Sequence, residues 1–268
     1  MLILVAMAIF LSSQNAAMAA VAYGASGSAA TGSTSLSVPY PSGIAAGHLL
    51  VLVVGNKYPT NGPATPSGWT LVANGQGSGG LGSAGGDRGT VYNTVFVKEA
   101  LGTESGNLSV ALSSANSSMA RMFRYTKASG ATWSYAATNG SDNTAGTSWS
   151  VTGAANPGIT SGDVLIVGSS VNGNRINSWT ESISAAGATF GATTERNDTN
   201  SSTGDDMALV VSEHSVTGGT ATAAPVYSMT GSGSASSYSP TGASVILRIR
   251  ELAPVNCTSQ ATGNWNAP

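Results

Sequence analysis

The stretch AGHLLVLVVGN, residues 46–56, is restated as SGDVLIVGSSVNG, residues 161–173, with Gly47 and Gly162 set 115 residues apart. Each copy has a Gly, a polar residue, an unbroken apolar run and a Gly/Asn exit. A run that is apolar at successive positions must be covered on both faces, and one this short bounded by Gly reads as a central β-strand. The match extends outwards. GSTSLSV (32–38) is echoed by GTSWSV (146–151), and VFVKEA (95–100) by LVVSEH (209–214), which sets Glu99 on Glu213. RMFRYTK (121–127) is echoed by LRIREL (247–252), which sets Phe123 and Arg124 on Ile249 and Arg250. Four matches in one order at a nearly constant offset read as an internal duplication, with pseudo-repeats at about 30–128 and 145–252.

Each repeat resolves into about six strands. They fall near 33–38, 47–55, 69–73, 90–99, 107–112 and 119–127, then near 146–152, 163–171, 189–194, 206–214, 222–229 and 243–251. TVYNTVFVKE alternates between faces as a strand does, and Gly- or Pro-bearing turns separate the runs. Charged residues form 8% of the chain, against roughly 25% in ordinary soluble domains. Helices with Glu-, Lys- and Arg-rich outer faces are therefore excluded. Disorder is excluded as well, because 41% of residues are hydrophobic and they are gathered into compact runs. The fold expected is all-β: an antiparallel two-sheet, jelly-roll-like sandwich of about twelve strands. Residues 128–145 read as a linker between the repeats, but Trp133 and Tyr135, with Trp149 close behind, give it too much aromatic surface to lie in solvent. One continuous sandwich is expected rather than two in tandem.

The first twenty residues, MLILVAMAIFLSSQNAAMAA, carry an apolar core followed by small residues at Ala17 and Ala19. That is the pattern of a cleavable signal peptide over residues 1–19, although no Lys or Arg precedes the apolar core. A buried N-terminal strand or helix is the alternative. Export implies a secreted or cell-surface protein with no stable membrane span after signal removal. Residues 20–252 form the sandwich, and 253–268 are a linker or the start of a following module. The single cysteine, Cys257, falls in that tail, so no disulfide forms inside the main domain. A net charge of −2 gives no footprint for nucleic acid.

The phrases AGHLLVLVVGN, PSGWTLVA, TVFVKEA and GATTERNDT…ALVVSEH, in that order, resemble a broad group of β-sandwich proteins found in bacteriophage tails and in exported bacterial surface proteins. The resemblance covers about residues 30–252. The tail CTSQATGNWNAP resembles module junctions of pilus-associated and other surface proteins. Neither resemblance implies a catalytic residue.

Chemistry-bearing residues are few. His48 and His214 both read as strand-edge positions, and no Ser has the Gly neighbours of a hydrolase nucleophile turn. Glu99 and Glu213 are the one carboxylate pair set in equivalent places, as glycoside hydrolysis requires of two facing acids. The loop ERNDTNSSTGDD (195–206) gathers Asp198, Asp205 and Asp206 as hard-oxygen ligands suited to calcium; no other cofactor is indicated. Tyr58, Trp133, Tyr135 and Trp179 lie in or beside expected loops, where a ring can stack on the apolar face of a sugar. Loops 74–89 and 195–206 follow equivalent strands and are expected at one end of their repeats, as the seat of any binding surface. The reading that best joins these features is a non-enzymatic, exported structural or adhesive module of a larger cell-surface protein, with a surface glycan or neighbouring surface modules as partners. A bacteriophage tail or fibre protein, a carbohydrate-binding module and a hydrolase are its rivals.

Overall fold

The computed structural model describes residues 21–57, 62–77, 90–112, 117–143, 148–173, 178–201, 207–232 and 242–254. The expected signal peptide and Cys257 lie outside them. The described residues hold no helix and seventeen strands, more than the dozen expected. The first half contains β1 (Ala22–Ser26), β2 (Ala30–Gly32), β3 (Ser35–Pro39), β4 (Leu49–Lys57), β5 (Thr70–Gly77), β6 (Val91–Glu99), β7 (Asn107–Ala111) and β8 (Ser117–Thr126). The second contains β9 (Thr132–Asp142), β10 (Ser148–Thr152), β11 (Val164–Val171), β12 (Ser178–Ser184), β13 (Ala188–Phe190), β14 (Thr194–Ser201), β15 (Met207–Gly219), β16 (Val226–Ser232) and β17 (Gly242–Leu252). Residues 132–142 are thus a full strand of the second half and not a linker.

The two halves use one topology. The large sheet runs β1-β8-β4-β6-β5 in the first and β9-β17-β11-β15 with β14 alongside in the second, and all pairs are antiparallel. The small sheet is β3-β7 in the first half and β10-β16-β12 in the second. Register agrees residue by residue. Val51 lies opposite Val97, and its counterpart Ile166 lies opposite Glu213. Beyond them Thr70 and Thr194 occupy the same station, each followed by a β-bulge, between Leu71 and Ala73 and between Glu195 and Asn197. The turns that enter β4 and β11 match too: Gly43 and Gly158 have φ of 67° and 78°, and Gly47 and Gly162 have 82° and 89°. Those left-handed stations favour Gly, which has no Cβ to clash. In each turn the residue before the strand takes a backbone N–H three positions back: His48 Nδ1 from Ala45 at 3.0 Å, Asp163 Oδ2 from Thr160 at 2.8 Å.

Pairing also corrects two alignments made on sequence. Glu213 stands where the first half has Val97, and Arg248, not Arg250, stands where it has Arg124. Both slips are of two residues. Side chains in a strand alternate with period two, so such a slip keeps the same face and is invisible to a pattern of apolar residues.

No strand of one half pairs with a strand of the other among the described residues, so each half has its own large and small sheet. They are nevertheless joined by a continuous core. One face of each large sheet covers its own small sheet, through Leu50, Leu52, Phe96 and Met122 in the first half and Leu165, Val167, Val210 and Ile246 in the second. The other faces meet each other, with Leu49, Val51, Val53, Val95 and Phe123 against Ile166, Leu209, Val211, Val245 and Leu247. Four sheets are therefore stacked, small, large, large, small. The arrangement explains why β4 and β11 are buried at every position and carry the apolar runs 49–54 and 164–167: each is the middle strand of an inner layer. At the centre of the stack a Cβ added to Gly168 would lie 2.6 Å from Val53 Cγ1, and one added to Gly55 would lie 2.5 Å from Ser170 Oγ. Residues 53 and 168 are counterparts, as are 55 and 170, so β4 and β11 cross the interface side by side and in the same direction. Trp133 closes the seam at one edge, with its indole N–H donating to the Gly47 carbonyl at 2.8 Å and Lys127 over its ring.

This parallel packing gives the molecule two distinct poles. Ala22 pairs with Thr126 and Leu252 with Thr132, so the folded chain enters and leaves at one pole, beside the crossing between halves. The strand ends that flank 78–89 and 202–206 lie at the other pole, but 74–77 and 195–201, expected in loops 74–89 and 195–206, belong to β5 and β14.

Candidate functional site

The sequence candidates are dispersed. Tyr58, Asp205 and Asp206 lie outside the described residues. Trp133 and Tyr135 sit on β9, the edge of the second large sheet opposite β14; Trp133 is committed to the seam and Tyr135 is 39% exposed. Asp198 belongs to β14, opposite Val210, and not to a loop. No group of three His, Cys, Asp or Glu among the described residues is placed to hold a metal ion. Glu99 is exposed and pairs with Lys127 at 3.3 Å. Glu213 is half-buried in the seam: it accepts hydrogen bonds from Tyr125 of the first half at 3.0 Å and from Arg196 at 2.9 and 3.1 Å. Arg196 in turn lies 3.7 Å over the Tyr23 ring. The two glutamates face no common cleft; one closes a strand end and the other ties the halves together.

Trp179 is where the sequence reading and a cavity meet. β12 and β14 are the facing edges of the two sheets of the second sandwich, and the space between them opens to solvent as two adjoining clefts. One of about 260 Å³ is lined by Trp179, Thr180, Glu181, Thr193 and Glu195. The other, about 330 Å³, is lined by Ile183, Phe190, Thr193 and His214 among others. Alternation along β12 turns Trp179, Glu181 and Ile183 inward and leaves the intervening Thr and Ser residues exposed. Trp179 packs against Trp149 with ring centroids 6.2 Å apart, and Trp149 in turn covers Gly242 so closely that no Cβ fits there.

The first sandwich shows what the same scaffold looks like when this space is filled. Trp69 precedes Thr70 as Thr193 precedes Thr194, and Phe96 lies opposite Leu52 as Ser212 lies opposite Val167. Trp69 and Phe96 are buried in the core of the first half. In the second half their places are taken by Thr and Ser, and the room they vacate is lined with polar groups. Thr193 Oγ1 lies 3.2 Å from His214 Nδ1, and Ser212 Oγ lies 3.0 Å from His214 Nε2. His214 is in mid-strand and buried, not at a strand edge, and burial lowers its pKa to about 4, so the ring is neutral.

Carboxylates complete the lining. Burial raises the Glu181 carboxyl to about 7 against the pull of the nearby Ser212 hydroxyl; the charges of Glu195 and Asp198 add to the rise, and the Tyr227 hydroxyl opposes it slightly. Neither of its oxygens has a hydrogen-bond partner at normal distance and angle, and Asp198 Oδ1 has none either. Burial likewise raises Asp198, to about 6, helped by Glu195. The cleft is thus rich in acceptors, acidic and walled on one side by an indole. The Ser212–His214 contact has the connectivity of a nucleophile and its base. Ser212 is 0% exposed, however, and the group orienting the imidazole is a Thr hydroxyl rather than a carboxylate.

Of the residues the sequence singles out, only Trp179 and His214 line these clefts. The usable signal was the contrast between repeats, Trp69 against Thr193 and Phe96 against Ser212, which becomes readable only once register is known. No family model, curated protein or solved structure matches this chain.

Proposed function

We propose that the protein is a non-enzymatic, exported β-sandwich that serves as a structural and adhesive module of a larger cell-surface protein. The observation that carries this reading is the pairing of Ala22 with Thr126 and of Leu252 with Thr132. Entry and exit at one pole let the stacked sandwiches be held by one end while their flanks and far pole face outward. Two features support it. A four-layer core leaves few places for local opening, which favours survival outside the cell. Among the described residues, Glu99, Glu213, Asp163, Glu181, His48 and His214 are engaged in seams, turns and a cleft rather than arrayed around an accessible nucleophile. Burial of Ser212 supports the non-enzymatic part.

The test is accessibility on intact cells of the source organism. An antibody against the sandwich should label unbroken cells, and external protease should remove the label. Labelling only after lysis, with the protein in the soluble cytosolic fraction, would overturn the reading.

A further inference from the structure

We propose that the cleft between β12 and β14 binds one neutral or amino sugar residue, stacked against Trp179, with its hydroxyl or ammonium groups donating to Glu181 and Glu195. The inference rests on the adhesive part of the reading above and supplies its ligand class; the surface location is tested separately by cell labelling.

Three independent features converge on that ligand. The first is space where the fold has no need of it. The first sandwich closes the same station with Trp69 and Phe96, whereas the second keeps two solvent-open clefts meeting at Thr193. Volumes of about 330 and 260 Å³ lie at the low end for ligand sites, which fits a single ring rather than an extended chain. The second is hydrogen-bonding capacity. Glu181 presents two acceptor oxygens that no donor meets at full hydrogen-bond geometry, although the Ser212 and Tyr227 hydroxyls lie near, and an under-satisfied buried acceptor is costly unless something donates to it. A sugar ring carries several O–H donors at fixed angles, and an amino sugar adds an ammonium. The third is the combination of an indole with polar neighbours. Trp179 lines the cleft beside Thr180 and Thr193, and an aromatic body next to hydroxyls suits a ligand with an apolar face and a polar rim.

Charge sets the class more narrowly. The charged groups acting on Glu181 are Glu195 and Asp198, both negative. A uronic acid, a sulfated sugar or a phosphate would meet like charge without a compensating cation, which costs affinity. Neutral hexosides are compatible with the site, and amino sugars are favoured by it.

The experiment is titration of the mature chain with methyl glycosides of neutral hexoses, N-acetylhexosamine, glucosamine and glucuronic acid, followed by calorimetry and by indole fluorescence. A member of the neutral or amino group should bind with a Kd of about 1 mM or tighter and perturb the fluorescence, while the uronic acid binds at least about tenfold more weakly. Thr193→Trp, which restores the side chain of the first half, should abolish binding. Glu195→Lys changes an exposed residue and so spares the fold; it should lower affinity for the amino sugar by about tenfold or more and improve that for the uronic acid. Absence of binding by every neutral and amino sugar, equal binding of glucuronic acid, or affinity unchanged in folded Glu195→Lys protein would each overturn the proposal.

Discussion

Glu181 is the residue at which fold and chemistry are most opposed. Its carboxyl is raised from 4.5 to about 7, chiefly by burial. An acid whose folded pKa exceeds its unfolded value binds more protons in the native state, so its contribution is fully present below about pH 4.5 and is lost as pH rises towards 7. His214 acts oppositely, since its lowered pKa makes the fold gain stability as pH rises from about 4 to 6.5. The two partly offset each other in the native chain, and the difference between wild type and Glu181→Gln isolates the first. That difference should grow in favour of the variant from about pH 4.5 to 7 and then level off, reaching about 3 kcal/mol in chemical denaturation. A pH-independent difference would show that Glu181 is solvated. Gly242 offers a sharper steric case. A methyl group there would collide with the Trp149 ring, so Gly242→Ala should cost about 1–3 kcal/mol by overpacking, read as a lowered denaturation midpoint.

Strands differ in how plainly the sequence announces them, for a reason that belongs to their place in the stack. β4 and β11 are buried at every position, and nothing but a strand covered on both faces accounts for LLVLVV between two Gly-bearing turns. The strands β9, β12 and β14 are edges, built from Thr, Ser, Asn, Glu and Asp, and their composition is that of loops. That is why residues 195–206 read as a calcium loop and 128–145 as a linker. Trp179 was recognisable as a candidate ring; its partners Glu181, Thr193 and Glu195 were not, because their convergence depends on a pairing across two sheets. The Glu99–Glu213 match shows the converse error, a sequence similarity offset from the true register by one full alternation. Its structural consequence can be measured. Glu213 ties β15 to β8 of the other half through Tyr125, so Tyr125→Phe and Glu213→Gln should each cost about 1–2 kcal/mol and be non-additive in a double-mutant cycle. Additivity would show that the contact is not formed in solution.

For the whole molecule, the decisive feature is the meeting of the two large sheets. Strand order, register, bulges and entry turns coincide in the two halves, whereas the small sheets differ and, among the described residues, only the second half has a strand like β12. Each half alone would expose the apolar face formed by residues such as Val51, Val53, Val95 and Phe123, or Ile166, Leu209 and Leu247, a patch that soluble monomers seldom leave uncovered. The halves should therefore unfold together. Differential scanning calorimetry of the protein, with and without Gly168→Val at the centre of the seam, tests this most directly. The account predicts one transition whose calorimetric and van't Hoff enthalpies agree, shifted as a whole to lower temperature by the substitution. Two separable transitions, with only the one belonging to the second half displaced, would contradict it.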